Sequence, residues 1–385
     1  MVMDKLIETS PFFTPEQQTL AASIGGFVER EIETRAIEEE EDVDRFFREY
    51  LSVLATSGLL RYAVAYPHRR LDVRSLCLIR EALAYSSSLA DLAFVMQGLG
   101  TYAISQAAPE HVREFWLDRA IKGKAIAAFA LTEPEAGSDV ASIKSQARRD
   151  GETYIIDGHK RYISNAGLAD FYTVFARTGT SRDGRAQISA FVVGSRMSGF
   201  TLRERTSMIA PHPIGEIEFN GLRVPAEDMI GAEGDGFNLA MKTLDTFRAS
   251  VGAAACGMAG RALDEAVEYS KTRKQFGRPI AEHQLIQEKL ARMATELDAA
   301  RLLVYYTAYL KDTSDSSVTR EASEAKLFAT EAASRIVDEA LQIHGGTGLV
   351  RGTVVERLYR DIRALRIYEG TSEIQKLIIA GQLLK

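Results

Sequence analysis

The 385-residue sequence predicts an α+β fold in three successive parts, helical, then β-rich, then helical again. Three observations predict it. Apolar residues recur at helical spacing from about residue 14 to 125, the period drops to two between about 126 and 233, and long helical patterns return from Gly236 to the end. The domains expected on this basis are 1–125, 126–233 and 234–385. A chain of this length needs more than one simple core.

The first part opens with Thr14-Pro15-Glu16-Gln17, an N-cap followed by a first-turn proline, and places Leu20, Ile24 and Phe27 on one face. The acidic run Glu38 to Asp44 reads as a solvated face, because an amphipathic helix resumes at Phe46 and Phe47. Leu71 to Ala107 gives one or two apolar helices, as expected for burial on more than one side.

In the middle part, Tyr154 to Gly158, Phe171 to Phe175, Ile188 to Val193 and Glu216 to Phe219 are short strand candidates separated by Gly, Asp and Asn. In the last part, apolar-periodic segments run 236–272, 281–311 and 318–344, and a final helix follows Gly370-Thr371-Ser372. Long helices in antiparallel sequence imply a bundle. Where a β-domain sits between two helical ones, the cleft between them is a favoured ligand site.

Composition narrows the function classes. With 46% hydrophobic and 26% charged residues the chain is an ordinary globular protein, and a net charge of −6 argues against a nucleic-acid surface. Two cysteines, Cys77 and Cys256, make neither a disulfide framework nor a metal site, and Cys256 in the run Ala253 to Gly257 reads as a packed helix thiol. The start Met-Val-Met-Asp-Lys-Leu-Ile-Glu has no signal-peptide or transit-peptide pattern, and no apolar run is long enough to span a bilayer. The expected location is the cytoplasm.

Five segments carry candidate chemistry. Phe129 to Asp139 combines Thr132 and Ser138 hydroxyls with a proline turn and Gly137, and could hold a flat ring or a phosphate; alone it is equally a polar turn. Tyr162 and Ser164, two apart on a strand, share a face suited to stacking on a ring and bonding its edge; a half-buried strand reads the same. Arg273-Lys274-Gln275-Phe276-Gly277-Arg278-Pro279-Ile280, with His283 and Gln284, puts cations and an aromatic between two helices, fit for a pyrophosphate and adenine or for a helix end. Gln342-Ile343-His344-Gly345-Gly346-Thr347-Gly348 has more glycine than a helix cap needs. His344 there reads as structural, since no other ligand sits at metal spacing. Finally, Glu369 in Arg366-Ile367-Tyr368-Glu369-Gly370-Thr371-Ser372-Glu373 lies in an apolar loop before a helix capped by Thr371 or Ser372; desolvated, it would suit a general base, though a first-turn acid reads alike.

Taken in order and spacing, Thr132-Glu133-Pro134 with Ala136-Gly137-Ser138-Asp139, Arg273-x-x-Phe276-Gly277, Gln342-x-x-Gly345-Gly346 and Ile367-Tyr368-Glu369-Gly370-Thr371 resemble the acyl-CoA dehydrogenase family from about residue 14 onward. The resemblance implies a helical N-terminal domain, a middle β-barrel-like domain and a C-terminal four-helix bundle, assembled as a homotetramer with FAD between the middle and C-terminal domains. It implies that Phe129, Leu131, Thr132 and Ser138 contact the isoalloxazine, Ser138 also reaching the substrate's pantetheine, while Tyr162 and Ser164 flank the flavin's other side. Arg273, Gln275, Phe276 and Gln284 with Gln342, Gly345 and Gly346 would hold adenosine and pyrophosphate across a subunit interface, and Thr371 and Glu373 would complete the FAD site. Asp245 and Arg248 match an Asp-x-x-Arg near the CoA, with Tyr368 and Gly370 also beside the substrate. Some members place the base at the position of Phe247, which cannot accept a proton; the resemblance therefore makes Glu369 the base that removes the α-proton of an acyl-CoA, while FAD accepts the β-hydrogen and passes electrons to an electron-transfer flavoprotein.

Two segments depart from the family pattern. Tyr66-Pro67-His68-Arg69-Arg70 replaces a glycine-rich loop, and Ile209-Ala210-Pro211-His212-Pro213 replaces a Lys-Met-Gly-x-Arg run. Both are expected near the substrate mouth or subunit surface and leave acyl specificity open. A carrier-protein-bound acyl thioester as substrate, a flavin oxidase or N-hydroxylase on the same scaffold, and a non-enzymatic flavin-binding protein are the rival readings; the last two fit poorly with an intact Glu369. Tyr368 and Phe247 hint at a short, branched or ring-bearing acyl group.

Overall fold

The computed structural model describes residues 5–68, 70–181, 184–314 and 316–385. Residues 1–4, on which the reading of the N-terminus partly rests, and Arg69 of the Tyr66 to Arg70 segment lie outside them.

The first part holds α1 (Lys5–Thr9), α2 (Pro15–Val28), α3 (Val43–Thr56), α4 (Val73–Ser86), α5 (Ser88–Ala107) and α6 (Glu110–Ile121). α2 begins in a capping box: Thr14 Oγ1 accepts from Gln17 N–H, and Gln17 Oε1 accepts from Thr14 N–H at 3.0 Å. The apolar stretch 71–107 divides at Ser87, whose hydroxyl accepts from Ala90 N–H at 2.9 Å and so starts α5. Both helices are buried nearly all round because α4 packs on α2 and on the helices Gly236–Thr272 and Gln284–Thr313 of the last part, and α5 on α3, α6, the helix Gly236–Thr272 and the sheet.

The acidic run faces water as expected with one exception, Glu39. Glu39 is buried, and its Oε2 accepts from Tyr50 O–H at 2.8 Å and Ser87 O–H at 2.5 Å. Burial pushes its carboxyl up to about 7, against the pull of Ser87 and Arg357. Two hydroxyl donors reach this one carboxylate, and only its neighbours in the run face water.

The middle part is an eight-stranded mixed sheet of β1 (Ala127–Ala130), β2 (Gln146–Asp150), β3 (Thr153–Ser164), β4 (Phe171–Thr180), β5 (Ala186–Gly194), β6 (Phe200–Arg205), β7 (Ile214–Pro225) and β8 (Met229–Ile230). The order is β6-β7-β3-β2-β4-β5-β8, with β1 parallel beside β4 so that Ala127 faces Phe171. β3 and β7 are antiparallel with a register shift between Lys160 and Ile163. That bulge re-aims Tyr162, which takes a left-handed φ of 54° and stands half exposed.

The last part comprises α7 (Gly236–Thr272), a two-residue-strand hairpin of β9 (Lys274–Gln275) and β10 (Arg278–Pro279), then α8 (Gln284–Thr313), α9 (Thr319–His344), α10 (Val354–Leu365) and α11 (Ser372–Leu383). Small residues let α7 approach its neighbours closely. A Cβ on Gly257 would fall 2.1 Å from the Glu81 carbonyl of α4, and one on Gly252 would fall 2.7 Å from Val304 of α8. Cys256 and Cys77 are buried, unpaired thiols in this contact. Among the described residues no helix is long and apolar enough to cross a membrane.

Candidate active site

Glu369 sits in the turn between α10 and α11 with a left-handed φ of 52°, followed by Gly370 at 91°. A non-glycine residue held there signals a constrained turn, and the constraints are visible. Gln375 Nε2 donates to the Glu369 carbonyl at 3.1 Å and the Gly370 carbonyl at 2.9 Å, while Lys326 Nζ of α9 donates to the Gly370 carbonyl at 2.7 Å. Glu331, also on α9, bonds Arg366 Nε at 2.9 Å and Ser372 O–H at 2.5 Å, clamping the turn from both sides. Thr371 is the N-cap of α11, its hydroxyl accepting from Ile374 N–H at 3.3 Å.

The Glu369 carboxylate is not bonded down like its backbone. Its Oε2 is buried without a hydrogen-bond partner. Burial raises its pKa; Arg80, Lys326 and Arg248 pull it back, and Asp91 pushes it further up. Arg80 of α4 is 1% exposed and forks onto Asp91 of α5, Nε to Oδ1 at 2.8 Å and Nη2 to Oδ2 at 2.7 Å, with Nη1 donating to Ser250 Oγ at 2.8 Å. Tyr368 is packed beside this pair, its phenol shifted up by burial. Lys326 is fully buried, and desolvation lowers it to about 8. Arg248 bonds Asp245 Oδ1 at 3.1 Å and leaves its buried Nε unpartnered. Asp245 is also paired with Lys311, so its carboxylate is already held between two cations. Phe247 is buried against α5: a Cβ on Gly98 would meet its ring at 2.6 Å.

A second group of candidates gathers on the sheet. Lys160 is fully buried and donates to Glu133 Oε1 at 2.8 Å and the Leu131 carbonyl at 3.1 Å. Burial lowers it to about 8 despite Glu133. Arg161 N–H donates to the Thr132 carbonyl at 2.9 Å. These bonds lock the loop carrying Leu131, Thr132 and Ser138 against the strand carrying Tyr162 and Ser164. Phe129 packs on Phe175 at 5.0 Å between centroids. Ser138 is exposed. Ser164 Oγ lies 2.8 Å from His212 Nε2.

The third group stands apart. Phe276 and Gly277 both take positive φ, 53° and 81°, in the two-residue turn of the β9–β10 hairpin. Phe276 is 94% exposed. Arg273, Gln275, Gln284, Gln342, Gly345 and Gly346 are exposed as well. Tyr269 joins the hairpin's base to the glycine turn, stacking on His344 at 4.2 Å and donating from its hydroxyl to Thr347 Oγ1 at 3.4 Å. His344 Nδ1 is 2.8 Å from the Ala340 carbonyl, a bond within its own helix. Arg273, the residue after α7, is separated from Arg248 along the helix by roughly 38 Å at 1.5 Å per residue, so one chain does not bring this group to Glu369. Glu373 is exposed on the first turn of α11.

The exposed groups fit a dinucleotide bearing a planar ring. Tyr162 and Phe276 are aromatics held outward on left-handed backbone. Gly137 and Gly346 have nothing within 4 Å of where a Cβ would stand, which leaves bare backbone for close approach. Among the described residues no group of three or more His, Cys, Asp or Glu is placed to hold a metal ion.

Comparison with known proteins decides the family. Models of the acyl-CoA dehydrogenase N-terminal, middle and C-terminal domains match residues 14–124, 128–222 and 234–384. The chain belongs to the acyl-CoA dehydrogenase family. It is 40% identical over 381 residues to a 3-(aryl)acrylate reductase of Clostridium sporogenes, covering 97% of this chain and 100% of the relative. It is 36% identical to the caffeyl-CoA reductase-Etf complex subunit CarC of Acetobacterium woodii, over 97% of this chain and 100% of the relative. Butyryl-CoA dehydrogenase from Megasphaera elsdenii superposes with a TM-score of 0.89 at 34% identity, covering 97% and 99% of the two chains. An acyl-CoA dehydrogenase complexed with FAD from Bacillus anthracis gives 0.86 at 31% identity, covering 97% of this chain and 67% of that one. This acyl-CoA dehydrogenase family member is accordingly a flavin-dependent oxidoreductase with FAD as its cofactor, and acyl-CoA dehydrogenation is its class of chemistry.

Arg80, Asp91, Lys326 and Glu331 were not read from the sequence, and Lys160 and His212 fell inside segments that were singled out without a role of their own. The available signal was a charge inside a largely apolar helix for Arg80 and Asp91, whereas Lys326 lies on a helix rich in charges and does not stand out. Lys160 and His212 gave none, because their partners are fixed only by the sheet.

Proposed function

We propose that Glu369 is the base that removes the α-proton of an acyl-CoA thioester, giving the α,β-unsaturated trans-enoyl-CoA. The observation that carries this is the buried, unpartnered Oε2, aimed from a clamped turn and shifted up by burial. A carboxylate so raised is a better base than one in water, and its rigid backbone keeps it in line with the substrate. When bound, FAD would supply the acceptor for the β-hydrogen. A backbone N–H of the Glu369 turn polarises the thioester carbonyl. Ser138, Tyr368, Gly370 and Arg248 border the substrate, with Asp245 orienting Arg248 rather than meeting CoA directly. Phe129, Leu131, Thr132, Ser138, Tyr162, Ser164, Thr371 and Glu373 contact the flavin half of FAD. Arg273, Gln275, Phe276, Gln284, Gln342, Gly345 and Gly346 serve the FAD of a neighbouring subunit in a tetramer, as their exposure and distance from Glu369 suggest.

The electron acceptor we propose is an electron-transfer flavoprotein, as the name of the caffeyl-CoA reductase-Etf relative suggests. For the acyl group we favour a short or ring-bearing one: Phe247 fills the space beside Gly98, and the name of the Clostridium relative refers to aryl acrylates. The test is a turnover panel of butyryl-, isobutyryl- and phenylpropionyl-CoA against the same acyl groups on a carrier phosphopantetheine, with an electron-transfer flavoprotein as acceptor. Turnover of at least one CoA thioester, with none on the carrier, is expected. Turnover confined to carrier-bound acyl groups would contradict the CoA assignment.

Lys326 holds the base in place, and its loss has a defined signature. Lys326→Met is expected to keep FAD and KM near wild type while kcat falls by up to about 10²-fold, the cost of misplacing a reacting group by an ångström. Removing its cation also raises the Glu369 pKa, so the acid limb of the kcat–pH profile moves to higher pH. An unchanged limb with unchanged kcat would mean that Lys326 only fills space.

A further inference from the structure

The Ile209–Pro213 segment, where the chain departs from its family, brings His212 to the strand assigned to the flavin. Nε2 of His212 lies 2.8 Å from Ser164 Oγ. The segment is held on both sides of that contact. Asn165 N–H donates to the Pro213 carbonyl at 2.6 Å, and Arg360 Nη1 donates to the Ile209 carbonyl at 3.1 Å. His212 is half-buried, and loss of solvation pushes it down to about 4, so the ring is neutral near pH 7. A neutral imidazole has one nitrogen that carries a proton and one that accepts. No charged partner is needed to explain the contact: it is a single hydrogen bond between a hydroxyl and a neutral ring.

We propose that His212 Nε2 accepts a hydrogen bond from the Ser164 hydroxyl and so leaves Ser164 a hydrogen-bond acceptor toward the flavin, favouring the reduced cofactor. The inference rests on the reading above that Ser164 faces the flavin. Its physical basis is that a serine hydroxyl has one proton and must place it somewhere. The oxidised ring presents acceptors at its reactive edge, and the reduced ring presents an N–H there. With the Ser164 proton directed at His212, the Ser164 lone pairs would meet that N–H and every partner would be satisfied. Without His212, the proton bonds the oxidised ring instead and has no acceptor when the ring is reduced. Both consequences act in the same direction, toward the oxidised state. His212 is thus a positioning residue that acts through Ser164.

The test is the midpoint potential of the FAD-loaded enzyme, read by equilibration with a reference dye. In His212→Phe the equilibrium between reduced and oxidised flavin is expected to shift at least about threefold toward oxidised, the effect of one hydrogen bond present in only one state. A tenfold shift would correspond to about 30 mV for a two-electron couple. On a Ser164→Ala background the same substitution is expected to add nothing. A potential that is unmoved or raised by His212→Phe, or moved equally on both backgrounds, would overturn the proposal. If His212→Phe fails to fold or to load FAD, His212→Leu is read by the same measurement. Wild-type protein that takes up no FAD would sink the reading of the site itself, whereas loaded protein with an unmoved variant sinks this inference alone.

Discussion

Glu369→Gln is expected to purify with its FAD and to turn over about 10²–10⁴-fold more slowly, the usual contribution of a positioned general base. The substitution keeps the shape of the side chain, and the bonds that hold the turn come from the backbone carbonyls of Glu369 and Gly370, which glutamine retains. Only the ability to accept a proton is lost. The wild-type profile should carry a matching acid limb. A base works as the carboxylate, and the Glu369 pKa is raised by burial against the pull of Arg80, Lys326 and Arg248, so with Glu369 as the proposed base kcat should climb as pH rises through a value above the ordinary glutamate range. In Glu369→Gln the residual rate should show no such limb. Phe247, where some relatives are implied to place the base, is buried against Gly98 and offers no second proton acceptor.

The second large effect concerns the ion pair under the base. Asp91→Asn leaves the Arg80 guanidinium buried without its counter-charge, and breaking a buried pair from one side costs about 3–5 kcal/mol. Arg80 is 1% exposed and directs both Nε and Nη2 to Asp91, so little water is available to compensate. Urea unfolding of the flavin-loaded protein measures this directly. Asp91 also pushes the Glu369 pKa up, so its neutralisation moves the acid limb of kcat to lower pH, opposite to Lys326→Met. The double variant Arg80→Met/Asp91→Leu should recover much of the lost stability, because matched apolar side chains replace a buried pair at little net cost. A loss below about 1 kcal/mol in Asp91→Asn would mean that solvent reaches Arg80 after all.

Helical spacing made α7 and α9 legible almost to the residue, because 236–272 and 318–344 are long amphipathic or small-residue runs. α10 was not read. It opens on two β-branched residues and carries three arginines and two acids in twelve positions, so its apolar stripe of Val355, Leu358, Ile362 and Leu365 is thin. On the sheet, the four strand candidates fall inside β3, β4, β5 and β7, whereas β2 and β6 were missed because most of their residues are exposed and polar. Boundary motifs of the site were visible as punctuation: Pro134, Gly277, Gly345 and Gly370 mark turns that the backbone uses, two of them with Gly φ beyond 80°. What punctuation does not carry is which buried charges lie under a turn. Arg80 and Lys326 come from helices 43 or more residues distant in sequence from Glu369, and only the packing of α4 and α9 on α7 brings them there. The misreading of Glu39 has the same origin, since the hydroxyls that donate to its carboxylate come from Tyr50 and Ser87 on other elements.

The most direct test of the central claim is an anaerobic titration of the flavin-loaded wild type and Glu369→Gln with straight-chain, branched and aryl-bearing acyl-CoAs, followed through the flavin's visible band. The wild-type band is predicted to bleach with at least one of them, and the Glu369→Gln band to persist with all. A wild-type band that no acyl-CoA bleaches, or a variant that bleaches as fast as the wild type, would contradict Glu369-driven dehydrogenation of an acyl-CoA.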